Sequence, residues 1–206
     1  MLLTSEINLL RSEVALMARK AIDIYDQSVQ CLTSGDEQTV ARIRAADAEL
    51  DTMELNLDQR CMELLLLREP YAIDFRFVFS AIKTTRELER VGDQSKTVAK
   101  WSLKLKGGPG ADMLELAAKA REALDTSIQA LIEGDADLAG EVMQIEFQVD
   151  ALEDRIIESA PGIAEAFIAK ALERIGDLAT NIAENVIFTV NATDIRHGQY
   201  ENPPGI

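Results

Sequence analysis

Two acidic side chains stand four residues apart in the stretch LERVGD at 88 to 93, Glu89 with Asp93, and again in LERIGD at 172 to 177, Glu173 with Asp177. Residues at i and i+4 share a helix face, so each element aims two carboxylates the same way. Farther upstream in each copy, Asp47 with Asp51 and Glu146 with Asp150 repeat that spacing. Carboxylates gathered at close range resist joint ionisation unless a cation compensates them. Their oxygens suit hard or borderline cations such as Mg²⁺, Mn²⁺, Ca²⁺ and iron, and take zinc less selectively. The chemistry indicated is metal binding, with one mononuclear or multinuclear site per copy.

One pair alone would mean little. With 36 acidic residues in 206, roughly six i,i+4 acidic pairs arise by chance in a helical chain. A solvated acidic stripe costs only about 0.2–0.5 kcal/mol per like-charge pair, which a surface helix tolerates. The recurrence of both pairs at aligned positions, beside small residues, favours a site over a stripe. Gly92, Ser95 and Ala99 continue the face of Glu89, and Gly176, Ala179 and Ala183 continue that of Glu173. Small side chains there let helices or ligands approach closely. Arg76, Arg86, Arg90 and Arg174 are competing partners that would quieten the carboxylates without metal. The second copy has fewer of them, so its site is expected to depend more on metal. A di-iron oxidase of the ferritin type needs Glu-x-x-His on two helices. The single histidine, His197 in the tail, excludes that chemistry and reads as a surface or packing residue.

These carboxylates need helices to hold them, and the chain supplies helices twice. LERVGD and LERIGD lie 84 residues apart, and residues 17 to 54 align with 116 to 153 at an offset of 99. The two offsets differ by a 15-residue deletion in the second copy. Apolar residues recur at helical spacing, with Ile43, Ala46, Leu50, Met53, Leu57 and Leu64 on one stripe and Val78, Ile82, Leu88 and Val91 on another. Strand patterns are absent. Ser34-Gly35-Asp36 and Gly134-Asp135 mark a turn and helix start, and Glu69-Pro70-Tyr71 and Ala160-Pro161-Gly162 mark a second break. The fold expected is all-α: two tandem three-helix bundles, residues 1–106 and 111–192, joined by Gly107-Gly108-Pro109-Gly110 and followed by a frayed tail, 193–206. The long third helices are placed along each other across the linker.

Composition narrows the partners. The chain is 47% hydrophobic and 5% aromatic, the balance of a helical protein with a substantial core. Its net charge is −15, and residues 1–106 carry only −2 of it. Such a field repels nucleic acid and attracts cations and basic protein surfaces. No apolar run reaches membrane-spanning length, and the first residues do not read as a signal peptide, so a cytoplasmic protein without direct membrane insertion is expected. Cys31 and Cys61 fall inside helical patterns, as buried thiols do in a reducing compartment.

The paired LER(V/I)GD elements, the acidic pair on each preceding helix, REPYAIDFRFVFSAIK at 68 to 83, ATNIAENVIF at 179 to 188 and TDIRHG at 193 to 198 together resemble the PhoU family of phosphate-response regulators. The resemblance covers essentially the whole chain. It implies a cytoplasmic negative regulator of phosphate uptake and of the phosphate-starvation response, linking the ATPase subunit of a phosphate ABC transporter to a sensor histidine kinase. A homodimer is implied as well. So are multinuclear clusters, iron or zinc first and Mg²⁺ or Mn²⁺ otherwise, on Asp47, Asp51, Glu89 and Asp93 in one bundle and Glu146, Asp150, Glu173 and Asp177 in the other. Asn181 and Glu184, about a turn beyond the second motif, join that second set. Thr97 and Lys100 stand at their aligned positions in the first half, so equal metal occupancy is not expected.

No nucleophile arrangement, P-loop or Gly-rich phosphate cradle is found, which favours a non-enzymatic adaptor. Two other readings stay open at this level: a metal-dependent hydrolase that activates water on the clustered carboxylates, and an accessory regulator of a single-component phosphate transporter.

Overall fold

A computed structural model of the chain describes residues 2–159 and 162–195. His197 and the tail from residue 196 onward lie outside the described residues. Among those described, all regular structure is helical: α1 (Leu2–Ser34), α2 (Glu37–Arg68), α3 (Ala72–Ser102), α4 (Ala111–Glu133), α5 (Ala136–Glu158) and α6 (Ile163–Asn191).

The duplicated Gly-Asp dipeptide builds the same corner twice. Gly35 and Gly134 take the left-handed backbone, φ 58° and 66°, that ends a helix at no steric cost. The following Asp36 and Asp135 then cap α2 and α5, each side chain accepting from backbone N–H groups two and three residues on. Pro70 stops α2, because the residue before a proline is disfavoured in helical backbone. α3 ends at Ser102, four residues short of Lys106. Its last turn tightens through Lys104 N donating to Trp101 O and Leu105 N to Ser102 O, and Gly107 and Gly108 then enter left-handed backbone.

Each set of three helices packs into a bundle around its apolar stripes. Leu10, Met17, Ile24, Ile43, Leu50 and Leu88 are fully buried in the first, and Leu116, Leu124, Leu172 and Ile175 in the second. α3 and α6 share the most extensive packing in the molecule, and α1 also meets α4. The direction of the α3–α6 pair is antiparallel: Ser80 near the start of α3 meets Thr189 near the end of α6, and Trp101 at the end of α3 stacks on Phe167 at the start of α6. α2 packs on α1 and α3, and α5 on α4 and α6, which leaves α2 and α5 flanking the four central helices. No described helix is long and apolar enough to cross a membrane. Tyr71, Ile73, Phe75 and Phe79 stay exposed at and beside the start of α3, while Phe77, Val78 and Ala81 face the core.

Candidate metal centre

The motif helices deliver their carboxylates at the seams between α2 and α3 and between α5 and α6. Leu88 and Val91, and their counterparts Leu172 and Ile175, anchor each motif in the core. The glycine of each motif sets how near the flanking helix comes. A Cβ on Gly92 would lie 2.8 Å from Leu50 Cδ2 and 2.9 Å from Asp47 Oδ1, and one on Gly176 would lie 2.9 Å from Val149 Cγ1. The space left by these small residues is therefore filled by a neighbouring helix rather than by a ligand.

In the second bundle Asp150, Glu173 and Asp177 each offer a carboxylate oxygen within 4.8 Å of the others. Glu173 Oε1 accepts from Lys170 Nζ at 2.6 Å, whereas Oε2 is buried with no hydrogen-bond partner. Lys170 also approaches Glu153 at 3.9 Å. Burial pushes the Asp177 carboxyl up to about 6, and repulsion from Glu173 and Asp150 adds to the shift. Asp150 and Glu153 are raised by the same cause, loss of solvent. Glu146 rises through burial, partly offset by the Thr180 hydroxyl beside it; Asp150, Asp177 and Glu184 repel its charge. The Asn181 amide donates across the bundles to Glu87 Oε2 at 3.4 Å. An orphaned buried oxygen among converging carboxylates is a donor set that a hard cation fits.

The first bundle has the same carboxylates in a different electrostatic setting. Lys96 reaches from α3 between the two helices, its Nζ 2.5 Å from Asp47 Oδ2 and 2.7 Å from Asp93 Oδ1. Asp47 is 3% exposed, and its burial raises the carboxyl although Lys96 pulls it back down. Glu89 is pushed up to about 7, first by burial and then by Asp93, Glu54, Asp51 and Asp47. Asp51 is exposed.

Three further charged positions lie at the seams beside the candidate ligands. Glu54 and Glu153 align with each other seven residues after Asp47 and Glu146, on the same helix face, and both carry raised carboxyls. Lys96 follows Asp93 by three residues and Glu89 by seven, a spacing that puts it among them. Two of the arginines expected as competing partners are engaged elsewhere: Arg90 pairs with Glu87 at 3.2 Å, and Arg76 donates to Thr189 O at 2.9 Å.

Two three-helix bundles that repeat one carboxylate seam define a class of tandem helical-bundle proteins. The model of the PhoU domain matches residues 14–102 and 113–186, and the chain belongs to the PhoU family. It is 30% identical over 210 residues to the phosphate-specific transport system accessory protein PhoU homolog of Pseudomonas aeruginosa, covering 94% of this chain and 87% of that one. The corresponding homolog of Clostridium acetobutylicum is 28% identical, with 93% and 95% covered. Among solved structures, PhoU from Pseudomonas aeruginosa superposes with a TM-score of 0.83 at 28% identity, over 92% of this chain and 99% of that one. The phosphate transport system regulatory protein PhoU from Streptococcus pneumoniae shares the fold, with a TM-score of 0.79 at 20% identity and 93% and 98% covered.

Proposed function

We propose that this protein is a non-catalytic accessory regulator of phosphate transport that holds uptake and the starvation response off when phosphate is plentiful. Its partners in this reading are the ATPase subunit of a phosphate ABC transporter and a sensor histidine kinase, met in the cytoplasm by a homodimer. The observation that carries the reading is the match, over 93–94% of this chain, to relatives named as phosphate-specific transport system accessory proteins. The carboxylate seam adds a metal to it. Asp150, Glu173 and Asp177 would hold the ion, with Glu146 and Glu184 behind them, and the bound ion would supply positive charge that lets these groups ionise together. An all-oxygen donor set takes iron, Mn²⁺ or Mg²⁺, and zinc less selectively.

The test is a starvation-response reporter, alkaline phosphatase, in phosphate-replete host cells lacking the protein. High activity that falls on complementation with the wild-type chain is the expected result, with weaker repression by a Glu173→Ala/Asp177→Ala variant. Activity that does not change on removing the protein would overturn the regulatory reading.

A further inference from the structure

The two carboxylate seams are not equivalent, and one of the differing residues lies inside the seam itself. Position 96 in α3 corresponds to position 180 in α6, at the 84-residue offset of the motifs. Lysine stands at the first and threonine at the second. The Lys96 ammonium touches one carboxylate from each helix of its seam, Asp47 on α2 and Asp93 on α3. Those are two of the four residues that a metal in this bundle would need. Asp47 lies almost wholly out of solvent, so its charge requires a cation at all times. Lys96 supplies that cation from within the chain at Oδ2, while Oδ1 is buried without a hydrogen-bond partner, as Glu173 Oε2 is in the second seam. In the second seam the half-exposed Lys170 spans the helices less tightly, 2.6 Å from Glu173 on α6 but 3.9 Å from Glu153 on α5, and of the motif carboxylates it pairs with Glu173 alone, whose Oε2 stays buried without a hydrogen-bond partner.

We infer that Lys96 is a built-in cation that replaces the metal in the first bundle, so that this chain takes up metal only between α5 and α6. The inference rests on the metal reading above but is separable from it. An ammonium and a divalent ion compete for the same Asp47 and Asp93 oxygens, and the tethered ammonium has no loss of translational freedom to make good on binding. Bundle symmetry in the backbone thus coexists with asymmetry in the cation.

The experiment is equilibrium dialysis against Mn²⁺ and, separately, Zn²⁺, with bound metal per chain measured by elemental analysis. Wild type should lose all specifically bound metal on Glu173→Ala/Asp177→Ala. Lys96→Thr should gain additional metal that persists in the Glu173→Ala/Asp177→Ala background, while Lys96→Arg, which keeps the charge, should gain none. Thermal melts in chelator supply a second readout: Lys96→Thr should melt lower than wild type and recover on adding Mn²⁺ or Zn²⁺. Metal retained by the Glu173→Ala/Asp177→Ala chain with Lys96 intact would overturn the inference, and so would a helical Lys96→Thr chain that gains no metal. Wild type without any metal would remove the second-bundle site alone, since gain of metal by Lys96→Thr still decides the role of Lys96.

Discussion

Glu89 shows what an uncompensated carboxylate costs at this seam. Burial and four neighbouring acids move its carboxyl from 4.5 to about 7. The folded chain therefore holds a proton that the unfolded chain has released between those two values, and stability falls as pH rises through that window. The full contribution is present below about 4.5 and lost above about 7. Allowing for partial exposure, the loss amounts to about 1–2 kcal/mol for this one group. In chelator, the urea midpoint of the wild-type chain should accordingly be lower at pH 8 than at pH 5. Glu89→Gln, which keeps the shape and drops the charge, should flatten that difference without abolishing it, because Asp177 and Glu146 shift in the same direction. A variant with the wild-type pH slope would show that Glu89 ionises freely. The acidic pairs were legible in the sequence because i,i+4 spacing survives any detail of packing. Lys96 was not, since a lysine three residues beyond an acid usually makes an exposed intrahelical pair. Only the placement of α2 reveals that it spans two helices.

At the scale of the helix, the motif glycines decide how closely each seam closes. Replacing glycine by alanine inside a helix gains about 1 kcal/mol of helix propensity, and overpacking a filled contact costs about 1–3 kcal/mol. At Gly176 the new methyl would press on Val149, a β-branched side chain that is fully buried and has little rotamer freedom in a helix. The packing cost wins there, and Gly176→Ala should lower the unfolding free energy by about 1 kcal/mol. Gly140 in α5 has nothing within 4 Å of where its Cβ would stand. Gly140→Ala should therefore raise stability by about 0.5–1 kcal/mol, and denaturant titration of both variants reads the opposite signs directly. If Gly176→Ala proves as stable as Gly140→Ala, the α5–α6 contact is looser than its geometry indicates. Element positions were legible because Gly-Asp and X-Pro breaks act locally, through φ and a missing N–H. The stop of α3 at Ser102 was less so, because several consecutive turns before the glycines could end the helix.

The whole molecule is tied along the antiparallel α3–α6 pair at both ends and in the middle: Ser80 with Thr189, Glu87 with Asn181, and Trp101 on Phe167 at 4.4 Å. α1 and α4 add a second tie. Tyr25 Oη donates to Ala117 O at 2.6 Å from a fully buried ring, and Arg121 clasps Asp26 through Nε at 2.6 Å and Nη2 at 3.2 Å. Each bundle thus uses the other to cover part of its third helix, and the buried apolar side chains of both form one continuous cluster. Such a chain should unfold as a unit although its sequence repeats. Trp101 is the only tryptophan and sits on the seam between bundles, so its fluorescence reports their separation, while far-UV circular dichroism reports the helices of both. The two denaturation curves should coincide, the standard sign of a two-state transition. Tyr25→Phe removes one buried hydrogen bond, worth about 1 kcal/mol, and should shift both curves to a lower midpoint together. A fluorescence transition that precedes loss of helix would instead mean that the bundles part before either melts, and that the repeat kept its independence.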